Sequence, residues 1–380
     1  MNLSISSAFD GGNIRLVAIE GNRIDLEIEH DHQSDFYQWF YFRLTGAAGQ
    51  GVELRLLNCA GSAYPHGWPG YRACMSNDRE YWERVDSSYD DGVLTIRVTP
   101  SANSVWFAYF APYTMERHHD LVAAVADDPA VEYRSLGQTL DGQELDYFRL
   151  GEGPLQIWLY ARQHPGETMA EWWMEGALEK LLDDSEPVTR RLRERATFHV
   201  VPNMNPDGSK RGHLRTNAAG VNLNREWHDP TPERSPEVLY VRNEMDRTGV
   251  DFAMDIHGDE AIAANFLAGF EGIPSWTREQ QGLFDRFSDE LVRLSPDFQT
   301  EKGYEIPAPG KANMSMSTAQ LAERFGAVSM TLEMPFKDND DLPDEAEGWS
   351  PDRSRALARS CLDALHAILP ELEKRRSSKR

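Results

Sequence analysis

Four short polar clusters in this chain each follow an apolar run, and their residue types suit metal-assisted hydrolysis. In "LQIWLYARQHPGE" an imidazole, His164, and a carboxylate, Glu167, stand three residues apart, with Pro165 and Gly166 between them to set a tight turn. A hydrolytic zinc is commonly held by two His and one Glu, leaving one position for water. The second imidazole is His257 in "DFAMDIHGDE", and Asp255, two residues earlier on the same strand face, is placed to orient its ring. The expected centre is therefore one Zn2+ ion on His164, Glu167 and His257. Attack on an amide also needs a general base and then a proton for the departing amine. Glu333 closes the apolar run in "VSMTLEMPF", where a carboxylate is costly in a purely structural role, and is the expected base. The remaining cluster, "NMNPDGSKRGHLRTNAAGVNLNREW", carries Arg215, Asn224 and Arg225 in an irregular segment. Guanidinium groups match a carboxylate in a planar, bidentate way and stabilise a developing oxyanion, so these residues point to a substrate with a free terminal carboxylate.

Such clusters meet only if a scaffold gathers the strand ends. Up to about Pro112 the chain alternates in short segments, "NIRLVAI", "RIDLEIE", "QWFYFRL", "VELRLLN", "LTIRVTP" and "VWFAYFAP", separated by turn residues. That rhythm predicts an all-β antiparallel sandwich. The stretch "NCAGSAYPHGWPGYRACMSNDREYWERV" reads as a long ordered loop packed against a neighbouring domain. Farther on, "LQIWLYA", "ATFHVVPN", "VDFAMDIHG", "AANFLAG" and "AVSMTLEMP" read as buried strands. They alternate with helical stretches such as "ETMAEWWMEGALEKLLDD" and "TREQQGLFDRFSDELVRL". This predicts an α/β domain with a mixed, mostly buried sheet flanked by helices, and in open α/β sheets ligand groups gather beyond the strand ends. The expected division is a sandwich over 1–120, a catalytic domain over 121–375 and a basic tail over 376–380.

Composition narrows the partners. The 380 residues hold 62 Asp plus Glu against 39 Lys plus Arg, and a net charge of −23 opposes nucleic-acid backbones and anionic membrane surfaces. No apolar run reaches the roughly 18–20 residues of a membrane span, and the first residues lack a signal-peptide pattern. Three cysteines, Cys59, Cys74 and Cys361, without paired spacing, predict reduced thiols and a cytoplasmic setting.

The motifs "HPGE", "NPDG", "GVNLNREW", "DIHG" and "TLEMPF", in this order, resemble those of the zinc metallocarboxypeptidases of the carboxypeptidase A superfamily. The preceding sandwich, with "QWFYFRL" and "VWFAYFAPYT", resembles that of the cytosolic carboxypeptidase subfamily. The resemblance implies that His164, Glu167 and His257 bind zinc and that Glu333 activates the water. It further implies that Arg215 polarises the scissile carbonyl, while Asn224 and Arg225 grip the terminal carboxylate of a peptide or protein. The superfamily also uses a tyrosine that closes over the substrate; no Tyr stands between "GKANMSMSTAQ" and Glu333, and the nearest upstream is Tyr304 in "EKGYEIPAPG". The subfamily's association with glutamate removal implies a basic group in the specificity pocket. Lys311 in "APGKANMS" is the candidate, Arg324 reading more simply as an ion-paired helix residue. Two other readings share the metal set: a zinc amidohydrolase or deacylase acting on N-acylated amino acids, and a catalytically silent peptide-binding protein.

Overall fold

Alternating burial builds the N-terminal unit. The strand Val52–Leu56 buries Val52, Leu54 and Leu56 and turns Glu53 and Arg55 outward, as expected for a sheet with one wet face. The computed structural model describes residues 3–378, and all six runs expected as strands contain one. They divide between two five-stranded sheets, whose inner faces bring Ile24, Leu26, Leu54 and Ile96 into one core with Phe42, Leu44 and Phe107. Pairing is antiparallel except between Arg23–Glu27 and Val52–Leu56. The chain leaves Arg23–Glu27, crosses to the other sheet as Tyr41–Thr45, and returns, so these two neighbours run the same way.

The stretch expected as a long loop contains two 3-10 turns, Cys59–Gly61 and Pro65–Gly67, and two short strands, Cys74–Ser76 and Glu83–Arg84. It does pack against the second domain. Buried Arg84 donates to the carbonyls of Phe336 at 2.8 Å, Lys337 at 2.9 Å and Glu347 at 3.1 Å, and Tyr109 stacks on Phe336.

The second domain is a seven-stranded mixed sheet in the order Val131–Gln138, Glu144–Leu150, Ala196–Val201, Leu155–Ala161, Phe252–Asp259, Val328–Pro335, Phe266–Ala268. Its central strands are apolar on both faces because helices cover both. Ile157 and Leu159 join the core beneath Met169–Leu182, Arg278–Leu294 and Pro351–Ser378. Trp158 and Tyr160 join a second core beneath Pro236–Thr248 and Ser317–Phe325.

The last sandwich strand ends at Ala108, and the helix Met115–Ala126 spans the division placed at 120. The basic tail is part of a helix as far as Ser378, where Arg376 pairs with Asp251. Cys59, Cys74 and Cys361 are buried, free thiols, and no helix among the described residues is long and apolar enough to cross a membrane.

Candidate active site

The "HPGE" cluster begins where Leu155–Ala161 ends. Arg162 adopts a left-handed backbone, and its Nε donates to Pro165 O at 3.0 Å, folding the turn back on itself. Gly166 lies against Leu214, whose carbonyl would sit 3.0 Å from a Cβ at that position, so the close approach selects glycine. Asn205 of "NPDG" caps the short helix Pro206–Arg211 and donates to Gln163 O at 3.0 Å, fixing the backbone just before His164.

Beneath this turn lies a buried ionic network. His118 sits between Glu171, 2.5 Å from Nδ1, and Asp146, 2.9 Å from Nε2, while Arg162 donates to the other Glu171 oxygen at 2.6 Å. Burial opposes the protonated ring, but Glu171 and Asp146 outweigh it and raise the His118 pKa to about 9. A folded-state pKa above the ordinary 6.5 stabilises the fold fully below pH 6.5, and that contribution is lost as pH rises through 9. Its size is of order 3 kcal/mol. Denaturant titrations between pH 6.5 and 9.5 are expected to show this decline, and His118→Gln to flatten it; an unchanged slope in the variant would refute the assignment.

The metal candidates converge. His164 Nδ1 lies 2.7 Å from Glu167 Oε1, His257 Nδ1 lies 2.7 Å from Glu167 Oε2, and the two Nδ1 atoms are 3.1 Å apart. This is the one group of three or more potential metal-binding side chains found among the described residues, and two imidazoles with one carboxylate match the donors zinc prefers. The outer ring nitrogens are also engaged. Asp255 Oδ1 lies 2.9 Å from His257 Nε2, and Asn222 Oδ1 lies 3.0 Å from His164 Nε2, contacts that fix ring orientation and leave both Nδ1 atoms facing Glu167. Asp255 is itself held by Gln163 at 2.6 Å and Ser317 at 2.5 Å. Burial, reinforced by Arg215, pushes His164 down to about 3, so it stays a neutral ligand. For His257 burial acts the same way, but Asp255 and Glu167 win and hold it well above its ordinary value.

Strand register places the candidate base. In the parallel pairing His257 lies opposite Glu333, so both side chains leave the sheet on the same side. Glu333 Oε1 is 3.2 Å from the Tyr304 hydroxyl, and Oε2 is buried with no hydrogen-bond partner among the described residues. Burial, then Glu167, push the carboxyl well above the ordinary range, with His257 opposing; a dication on the triad would draw it back toward ionisation. Tyr304 thus reaches the site from its Gly/Pro-containing loop, its hydroxyl also 2.7 Å from Asp259 Oδ2.

Arg215 Nη1 stands 3.9 Å from Glu167 Oε1, at the edge of the triad. Two rings of the sandwich domain, Phe36 and Tyr64, flank its guanidinium, 5.6 and 5.4 Å from Cζ to the ring centroids. Its backbone is held from the same domain: Asp31 accepts the N–H groups of Leu214, Arg215 and Thr216 at 2.7, 2.8 and 2.9 Å. Arg225 is exposed, and partial burial together with nearby Arg215 lowers its pKa. Asn224 points inward, its Oδ1 accepting Ser317 N at 3.0 Å, which leaves Nδ2 as its donor. Lys311 and Arg324 are not brought in. Lys311 lies exposed and outside the lining of the adjacent cavity, while Arg324 pairs with Asp246 at 2.6 Å on the outer face of its helix.

Sequence reasoning passed over Asp31, Phe36, Tyr64, Asn222 and Asp259. The motif "GVNLNREW" draws attention to Asn222, whereas the three sandwich residues carry no local signal.

Residues 5–110 match the model of the cytosolic carboxypeptidase N-terminal domain, and residues 119–267 match that of the zinc carboxypeptidases. A metallo-carboxypeptidase from Pseudomonas aeruginosa, solved in complex with (2-guanidinoethylmercapto)succinic acid, is 43% identical, with a TM-score of 0.95 over 97% of this chain and 100% of that one. The chain belongs to the zinc carboxypeptidase family. An uncharacterised protein of Zymomonas mobilis is 60% identical over 98% of both chains. Cytosolic carboxypeptidase 1 of Gallus gallus is 29% identical over 63% of this carboxypeptidase, which covers 24% of that protein's length. The family is one of hydrolases that use a single catalytic zinc.

Proposed function

We propose that this zinc carboxypeptidase removes single residues from the free C-termini of peptides or proteins, with His164, Glu167 and His257 as the metal ligands. The observation that carries this reading is the unpartnered, buried Glu333 Oε2 on the strand beside His257, with two arginines at the rim of the same site. When bound, zinc supplies a Lewis acid that makes water nucleophilic at neutral pH and polarises the scissile carbonyl. Glu333 takes a proton from the attacking water and delivers it to the departing amine. Arg215, immobilised between Phe36 and Tyr64, stabilises the charge developing on the carbonyl oxygen. Arg225 pairs with the terminal carboxylate and the Asn224 Nδ2 group adds a hydrogen bond. Tyr304, already at Glu333, closes over the bound residue. The ligand of the Pseudomonas relative, a dicarboxylate, is consistent with anion recognition at such a rim. The buried free thiols support a cytoplasmic location.

Incubating the zinc-loaded enzyme with matched free-acid and C-amidated peptides, and following products by mass spectrometry, tests the reading. Loss of one terminal residue from free acids alone is expected. Equal cleavage of amides, or turnover of N-acylated amino acids only, would replace it.

A further inference from the structure

Four non-glycine residues among those described adopt a left-handed backbone: Gln33, Arg79, Asp91 and Arg162. The first three are exposed, whereas Arg162, with a φ of 61°, is buried at the start of the "HPGE" turn. Glycine would take this conformation without the clash a Cβ brings, so the arginine side chain has to offset the strain. Its guanidinium makes three contacts. Nε donates to Pro165 O, between His164 and Glu167, at 3.0 Å. Nη1 donates at 2.6 Å both to Tyr113 O and to Glu171 Oε2. Tyr113 lies between the last sandwich strand and the helix Met115–Ala126, so the domain junction fixes one end of the guanidinium. Glu171 is fully buried, held by His118 on one oxygen and by Asn203 Nδ2, 3.1 Å away, on the other. The Arg162 N–H donates at 3.3 Å to the carbonyl of Ile256, the residue before His257. Arg162 therefore ties together the backbones of both segments that carry the candidate ligands.

We infer that Arg162 is a positioning residue for the metal: its guanidinium, clamped by Glu171 and Tyr113, holds the strained turn that presents His164 and Glu167 to zinc. The inference rests on the ligand set proposed above. Without the clamp the turn relaxes toward ordinary backbone angles, the two side chains lose their common focus, and zinc is held less tightly. Lysine at this position keeps a positive charge beside Glu171 but has no donor where Nε meets Pro165, so it separates charge compensation from positioning.

The test measures the zinc affinity of the full chain by competition with a chromophoric chelator, without peptide, alongside the melting temperature of the metal-free protein. Arg162→Lys and Glu171→Gln are each expected to weaken zinc about 10- to 100-fold. The double variant should lose less than the product of the two, because both act through one contact. The visible absorption bands of the cobalt-loaded protein should shift in Arg162→Lys, as the ligands are no longer held at the parental angles. Parental zinc affinity with unshifted cobalt bands in Arg162→Lys overturns the inference even if the metal-free protein melts lower, since Arg162 then braces the fold alone. If Arg162→Lys does not fold, parental zinc affinity in Glu171→Gln overturns it equally. His257→Gln tests the ligand set separately: it should abolish tight zinc binding, and parental affinity in that variant overturns the ligand assignment itself.

Discussion

Glu333→Gln is expected to lower kcat roughly 1,000-fold or more while leaving zinc stoichiometry near one per chain. The amide is nearly isosteric with the carboxyl and keeps an oxygen that the Tyr304 hydroxyl, now 3.2 Å from Oε1, can approach. What it lacks is basicity, so it neither accepts a proton from water nor carries one to the leaving amine. The side chain is buried and only one of its oxygens has a partner, so removing its charge relieves a desolvation cost. The variant should therefore melt no lower than the parent, which separates a chemical defect from a folding one. Single-turnover kinetics with metal analysis on the same sample provide the check; a variant retaining more than a tenth of parental kcat would remove Glu333 from the proton-transfer role.

Asp31→Ala is expected to cause the largest loss among changes outside the metal and base positions. The Asp31 carboxylate is 2% exposed and accepts three consecutive backbone N–H groups, from Leu214 to Thr216, together with the Thr216 hydroxyl at 3.1 Å. Removing it leaves buried donors unpaired, a cost of about 3 kcal/mol or more. It also frees the loop that aims Arg215. A guanidinium displaced by even an ångström no longer meets the developing oxyanion, and kcat should fall about 100-fold. Asp31→Asn retains one acceptor oxygen and should lie between the two. Urea unfolding and kcat measured together decide the matter: stability lost with full kcat in the surviving folded fraction would make Asp31 a purely structural brace.

The second prediction concerns how the sandwich and the sheet domain share one site. Phe36 and Tyr64 flank Arg215, Asp31 holds its backbone, and Arg84 anchors the sandwich to the chain that follows Glu333. The N-terminal domain therefore forms part of the wall of the candidate site.

The metal and base candidates were legible in the sequence because each ends an apolar strand, and strand-end polar groups stand out against their flanks. His164 with Glu167, His257 with Asp255, and Glu333 were named from local pattern alone, and the parallel register brings His257 beside Glu333 as α/β organisation requires. Elements with weak contrast escaped. The hairpin Val131–Gln138 and Glu144–Leu150 begins with a half-exposed strand, and the helix Pro187–Arg195 buries only Thr189 and Leu192. Neither shows the clean alternation or periodicity that reveals a core-facing element, although "DG" at 141–142 marks the hairpin turn. Asp31 and Arg215 lie 184 residues apart, and no local pattern links them. The resemblance suggested Lys311 as a basic pocket residue, yet only the folded chain decides which side chains face a cavity, and it leaves Lys311 outside the one beside Tyr304. Sequence thus determined the candidate metal and base residues, whose chemistry is carried by residue type and local spacing. Tertiary structure decided what holds Arg215 and which side chains line the cavity beside Tyr304, because both arise from side chains that meet only after distant segments pack.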